Sequence, residues 1–260
     1  MAGRFKKRMH GLSLLVIGLC FAGCGDQSDA GYTATPSSEA RTLHGTFPFT
    51  FDGPKLARSG PRSCAECHAE EVEDWERSHH AKANRPVSEA LDAAAFTPAR
   101  EITESGVTYR MEMADDKFWL KVIDAEGTST PYELVGVIGY TPIRQYLTRF
   151  EGNKYQTISA SYDVLEDEWV DVFAEQDRVP GEWGHWTGQG MNWNANCAYC
   201  HTTEYHKGYD FEADHYASTW IQQGIACAEC HTGLEAHLQQ ARSGGDTSLP
   251  PLDREQIEAN

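Results

Sequence analysis

Positive charge is scarce in this chain. Its 260 residues hold 22 Lys and Arg against 39 Asp and Glu, a net charge of −17 with histidine neutral. A nucleic-acid partner needs a basic footprint for its phosphates, so the balance argues against one. It suits a soluble protein, or one that docks against basic partners. Long apolar runs are scarce too. The stretch from Leu12 to Ala22 is short of the roughly 17–25 residues of a spanning helix, and no later segment is long enough. With 40% apolar and 23% charged residues, the chain is neither a collagen, a coiled-coil rod nor a wholly disordered polymer.

Cysteine is the informative residue, because all eight copies fall in the leader or in close pairs. Residues 1–24 read as an export leader: Arg4, Lys6, Lys7 and Arg8 form a positive start, followed by the apolar stretch. Phe21-Ala22-Gly23-Cys24 resembles a bacterial lipoprotein cleavage site, which makes Cys24 a candidate for acylation and membrane attachment. Simple cleavage is the alternative, since Phe21 stands where leucine is usual. The expected location is the periplasm or outer surface of a bacterium.

Residues 25–60, rich in Gly, Ser, Thr and Pro, read as a flexible tether. Residues 64–95 read as helical, with Val72 and Trp75 on one side and acids on the other, until Pro86 breaks the pattern. Val87 to Phe96 makes a second short helix. Strands are expected over Val107–Met113, Phe118–Ile123, Tyr132–Ile138, Tyr155–Ser161 and Trp169–Phe173, with Asp115-Asp116 as a turn. Residues 180–200 read as an ordered loop, and 211–223 and 231–242 as helices. The expected fold class is therefore α+β: a mostly helical, loop-rich domain over 61–242 with a small antiparallel β insertion at about 106–175. A linker and tail at 243–260 follow.

Three copies of one motif carry the chemistry: Cys64-Ala-Glu-Cys67-His68, Cys197-Ala-Tyr-Cys200-His201 and Cys227-Ala-Glu-Cys230-His231. C-x-x-C-H is the attachment signature of c-type haem. Its two thiols add to the vinyl groups as thioethers, and the histidine reaches the iron from one face. A cysteine pair alone fits a redox disulfide, and two pairs together fit a Cys₄ zinc ribbon. Neither needs a histidine after every pair. With 11 histidines in 260 residues, three such successes by chance are on the order of one in ten thousand. Three covalent haems are expected, bound through Cys64, Cys67, Cys197, Cys200, Cys227 and Cys230, with His68, His201 and His231 as proximal ligands.

Seven histidines outside the leader remain for the distal positions: His44, His79, His80, His185, His206, His215 and His237. On a continuous helix His79 lies about 20° past three full turns from His68, so the two share a face and serve different irons. His237 is too close to His231 to close the same iron. The expected distal ligands are one of His79 and His80, together with His185 and His237. Met191 is a competing sulfur ligand that would raise the potential.

The sequence resembles the multihaem cytochromes of the cytochrome c-552/c-554 type, relatives of the hydroxylamine oxidoreductase and nitrite reductase cytochromes. It is also similar to exported multihaem proteins that carry tetratricopeptide repeats, although the likeness covers only about residues 60–240. The residues that carry it are Cys64–His68 with Trp75 and Ser78-His79-His80, Gly139-Tyr140 with Gln145-Tyr146-Leu147, His185-Trp186-Thr187-Gly188, Asn192-Trp193-Asn194 before Cys197, Tyr209-Asp210, and Thr219-Trp220 before Cys227 to His237. After the third motif Thr232-Gly233-Leu234 replaces the usual Gly-Pro-Gly. The resemblance implies transfer of single electrons between redox proteins. A haem enzyme acting on nitrogen oxides or hydroxylamine through one open iron, and a redox-sensing or assembly module, are the rival expectations.

Overall fold

The computed structural model describes residues 61–173, 176, 178–231 and 233–245. The leader, the tether, His44, Cys24 and the tail beyond 245 lie outside the described residues. Two short helices open the described chain, α1 (Pro61–Cys64) and α2 (Ala69–Arg77). Then come β1 (Asn84–Pro86), α3 (Glu89–Phe96), β2 (Arg100–Glu104), β3 (Val107–Ala114), β4 (Lys117–Ile123), β5 (Ser129–Ile138), β6 (Ile143–Phe150), β7 (Lys154–Asp163) and β8 (Glu168–Asp171).

The second half is built from small pieces. They are α4 (Trp193–Asn196), α5 (Ala198–His201), β9 (Thr202–Thr203), β10 (Tyr209–Asp210), β11 (His215–Tyr216), β12 (Gln222–Gln223), α6 (Cys227–Cys230) and α7 (Leu234–Ser243).

The dominant element is an antiparallel meander in which β2 to β8 pair in chain order, with β1 added beside the end of β5. This overturns the expectation of a mostly helical, loop-rich fold with a small β insertion. The sheet takes in β1 and β2 before the expected boundary, and it includes β6, which was not anticipated. The physical reason is visible in β6, where Arg144 and Thr148 are buried beside Tyr146 and Leu147, so the apolar–polar alternation that marks a half-buried strand is lost. The hairpins that were read correctly carry explicit turn chemistry: Asp115 and Asp116 both adopt positive φ between β3 and β4, the conformation of a two-residue hairpin turn.

Inward side chains of the sheet form an aromatic core. Phe96, from the last turn of α3, packs edge-on against Phe118, Tyr146 and Trp169 with centroids 5.0, 5.1 and 5.2 Å away. Such contacts contribute beyond the area they bury. Across the ends of the sheet, Arg100 of β2 donates to Asp167 at 2.9 Å, just before β8. The curl is thus nearly closed around the core.

Two other expectations are corrected. The helix does not run from His68 to His79, because α2 stops at Arg77. There the Ser78 hydroxyl donates to the Trp75 carbonyl at 2.6 Å and the backbone turns extended. A serine that bonds back in this way competes with the helical ladder. Nor is 211–223 a helix. Asp210 accepts the N–H groups of Glu212 and Ala213 at 2.9 and 3.0 Å, and this turn joins β10 to β11.

One buried ion cluster fixes α3 to the sheet. Asp92 is fully buried. It accepts two bonds from Arg85 at 2.7 and 2.9 Å, one from Ser88 N at 2.9 Å and one from the Tyr146 hydroxyl at 3.2 Å. Arg144 stands 3.3 Å from the same carboxylate. Removing the one acid leaves two buried cations unpaired, a loss of about 3–5 kcal/mol. Asp92→Ala is expected to lower unfolding stability in denaturant by that amount. A loss well under about 1 kcal/mol would show that the cluster is not holding α3.

Candidate functional site

Each C-x-x-C-H motif forms a single helical turn. In the first, the N–H groups of Cys67 and His68 donate to the Cys64 carbonyl at 3.1 and 2.8 Å. In the second, Cys200 N donates to Cys197 O at 3.2 Å, and in the third, His231 N donates to Cys227 O at 2.8 Å. The burial pattern repeats as well: the first cysteine of each motif is half-buried and the second exposed.

All six described cysteines are free. Among the described residues no three of His, Cys, Asp or Glu gather where one ion could be held. The thiols of the second and third motifs therefore do not converge as a zinc ribbon. Burial pushes the Cys197 thiol up to about 11, where it packs beside Trp193, Ala198 and Leu147, with Ile138, Tyr155, Tyr205 and Trp220 around them. Redox and metal-binding thiols have their ionised form favoured instead. An uncharged thioether is at home in such a place.

The sheet holds the second motif from behind. Tyr155 N of β7 donates to the Asn194 side chain at 2.8 Å, and the Thr157 hydroxyl donates to Met191 O at 3.0 Å. Asn192 caps α4 by accepting from Ala195 N at 2.9 Å. Met191 is buried in this joint with its carbonyl committed to β7.

The first and third motifs meet. The Cys64 thiol is raised by burial and further by its neighbour Cys227. Glu66 of the first motif accepts from Arg242 of α7 at 3.1 and 3.2 Å. The rings of His68 and His237 face each other with centroids 6.2 Å apart and planes tilted by 32°. Two imidazoles on opposite sides of one metal, with metal–nitrogen bonds of about 2 Å, stand roughly 6 Å apart by centroid. The separation matches that of such a pair, and the donor chemistry of the site suits haem. The turn that aims His237 is made by Gly233, at φ 74°, whose carbonyl accepts from His237 N at 3.1 Å. The missing Gly-Pro-Gly is thus replaced by one left-handed glycine.

His79 and His80 are both exposed, in the turn after α2. His79 lies edge-on to Tyr140 at 5.8 Å, and the Lys82 ammonium sits 4.4 Å from the same ring. The His80 carbonyl accepts from Ile225 N at 3.0 Å, while the Trp75 indole donates to the Ile225 carbonyl at 2.7 Å. Both backbone groups of Ile225 are captured by the end of α2, two residues before the third motif. His201, in the second motif, directs Nδ1 at the Ala83 carbonyl at 3.0 Å. A carbonyl only accepts, so Nδ1 carries the proton and Nε2 keeps a free lone pair. The turn with His79 and His80 therefore sits between the second and third motifs.

His185 is buried and its hydrogen bonds are local. Its Nδ1 accepts from Thr187 N at 3.2 Å and lies 2.7 Å from the Thr187 hydroxyl. This places the ring proton on Nε2. Burial also holds its pKa below the usual imidazole value. His215 is engaged by Asn153 at 2.9 Å, and His206 is exposed. Sequence reasoning did not find the Ala83 carbonyl, Ile225 or Lys82. A backbone acceptor leaves no mark in a sequence, although Trp75 and Tyr140 do stand in the stretches that carry the resemblance.

Three cysteine–cysteine–histidine turns carry the donor set of a c-type cytochrome, a carrier of covalently bound haem. The family described as Cytochrome c554 and c-prime matches residues 63–110 and 176–232, which supports a c-type cytochrome of the c554 type. The two matched segments contain all three motifs and leave out most of the sheet. No curated protein and no solved structure matches the chain.

Gly224, at φ 74°, lets the chain after β12 reach the turn that follows α2. A β-carbon there would stand 2.5 Å from the His80 carbonyl and 2.8 Å from that of Ala81. Gly224→Ala is expected to cost at least about 1 kcal/mol, read from the unfolding midpoint of the intact protein. An unchanged midpoint would show that the contact is not close in solution.

Proposed function

We propose that this chain is an exported multihaem cytochrome that holds three haem c groups, one at each motif, and passes single electrons between redox proteins. The observation that carries this reading is the facing pair His68 and His237, together with the threefold repeat of the attachment turn. Bound haem iron supplies one-electron exchange between its ferrous and ferric states. The protein's part is to anchor, orient and enclose. Cys64/Cys67, Cys197/Cys200 and Cys227/Cys230 anchor the three groups. His68, His201 and His231 supply proximal nitrogens, with His237 opposite His68. The turn bearing His79 and His80 supplies a distal nitrogen to the second or third motif, next to both of which it is fixed.

Export follows from residues 1–24, and attachment to a membrane through Cys24 follows from the lipoprotein-like cleavage site. The acidic balance of the chain favours donors and acceptors with basic docking faces.

A second reading rests on His185. Its Nε2 offers a proton rather than a lone pair, which makes it a proton donor and not a distal ligand, and the reading requires one iron with a free face. That is the arrangement of a haem enzyme acting on nitrogen oxides or hydroxylamine.

A pyridine haemochrome assay on the mature protein is expected to count three haems per chain, and two after Cys197→Ala with Cys200→Ala. A count that stays at three in the double variant would falsify the assignment of that motif. Carbon monoxide added to the reduced protein is expected to leave the spectrum of the carrier unchanged. Binding at one haem moves the function to the enzyme reading.

A further inference from the structure

The Ala83 carbonyl receives two donors. One is the His201 ring at 3.0 Å, and the other is the N–H of Gly139 at 2.9 Å. Ala83 immediately precedes β1, and Gly139 immediately follows β5, the strand on which β1 pairs: Asn84 sits opposite Ile138 and Arg85 opposite Val137. The carbonyl that faces His201 is therefore placed by the sheet and not by the motif to which His201 belongs.

Gly139 is held tightly in this role. Its φ is 82°, and a β-carbon would stand 2.5 Å from the Ile143 carbonyl. On the other flank, buried Asn84 donates to Gln223 of β12. Two other candidate ligands, His237 and His185, lack such a bond. His237 Nδ1 is buried without a hydrogen-bond partner, and His185 Nδ1 accepts rather than donates.

We propose that the sheet, through the Ala83 carbonyl and the Gly139 N–H that aims it, sets how strongly His201 donates to its iron and so lowers the reduction potential of the second-motif haem. The inference rests on the reading of His201 as an iron ligand and adds a task for the sheet. An imidazole whose N–H is hydrogen-bonded is a more basic ligand and favours the ferric state, one of the levers by which a protein adjusts haem potential. Gly139 is a positioning residue here. It touches the haem only through Ala83 and His201.

The test is a spectroelectrochemical titration of the full haem-loaded protein and its Gly139→Ala variant. One redox component is expected to move to higher potential while the others stay. The moving component is the one lost when Cys197 and Cys200 are both replaced by Ala. If three haems are bound and no component moves, or a different one moves, the proposal is overturned.

Should Gly139→Ala not fold, the unaltered protein decides by nuclear magnetic resonance. One ring N–H of an axial histidine is expected to exchange slowly with deuterated water, and its signal is expected to vanish in the cysteine double variant. Absence of such a signal in the unaltered protein also overturns the proposal. His201→Met separates the two levels of the argument. If that variant leaves the spectrum and titration untouched, the ligand reading has failed. If it shifts one component while Gly139→Ala shifts none, only the tuning by the sheet has failed.

Discussion

The arrangement depends on one short stretch of backbone, from Trp75 to Pro86. It leaves α2 at a serine turn, gives its His80 carbonyl and Trp75 indole to Ile225, gives its Ala83 carbonyl to His201 and Gly139, and enters the sheet as β1. Every contact joins a backbone group to another backbone group or to a part-buried ring N–H, and polar groups taken from water are costly to leave unmet. The stretch thereby fixes the first motif, the approach to the third, the histidine of the second and the edge of the sheet relative to one another.

That geometry gives the sheet a place in the function. The family likeness covers the motif-bearing segments and stops inside the meander, so the sheet reads at first as a brace. Its contacts say more. β7 seats the second motif through Asn194 and Met191, and the end of β5 reaches the ring of His201 through Ala83. The aromatic core around Phe96 and the buried Asp92 cluster make this frame rigid, because close-packed interiors transmit displacement rather than absorb it. A carrier of single electrons needs this: ligands that do not relax between oxidised and reduced states keep the exchange fast.

The acidic balance belongs to the surface. On α2, Glu73 and Asp74 both pair with Arg77 at 2.5 Å, but exposed pairs of this kind contribute little to stability. Their role is in the field the protein presents to a partner and not in the fold.

Sequence alone determined the chemistry. A cysteine pair followed at once by histidine is a local unit, and a local unit survives any fold; the attachment turns, α3, α7 and the Asp115-Asp116 hairpin were legible because their signals lie within a few neighbouring residues. The tertiary structure decided everything that depends on partners distant in the chain. It ended α2 at Ser78 instead of carrying it to His79, and turned 209–216 into a hairpin through Asp210. It enlarged a minor β insertion into the dominant element, since a strand that buries polar side chains, as β6 buries Arg144 and Thr148, loses the alternation that announces it. It also chose which imidazoles oppose one another, as with His68 and His237, because that choice is made by packing across the whole length of the chain and no spacing encodes it.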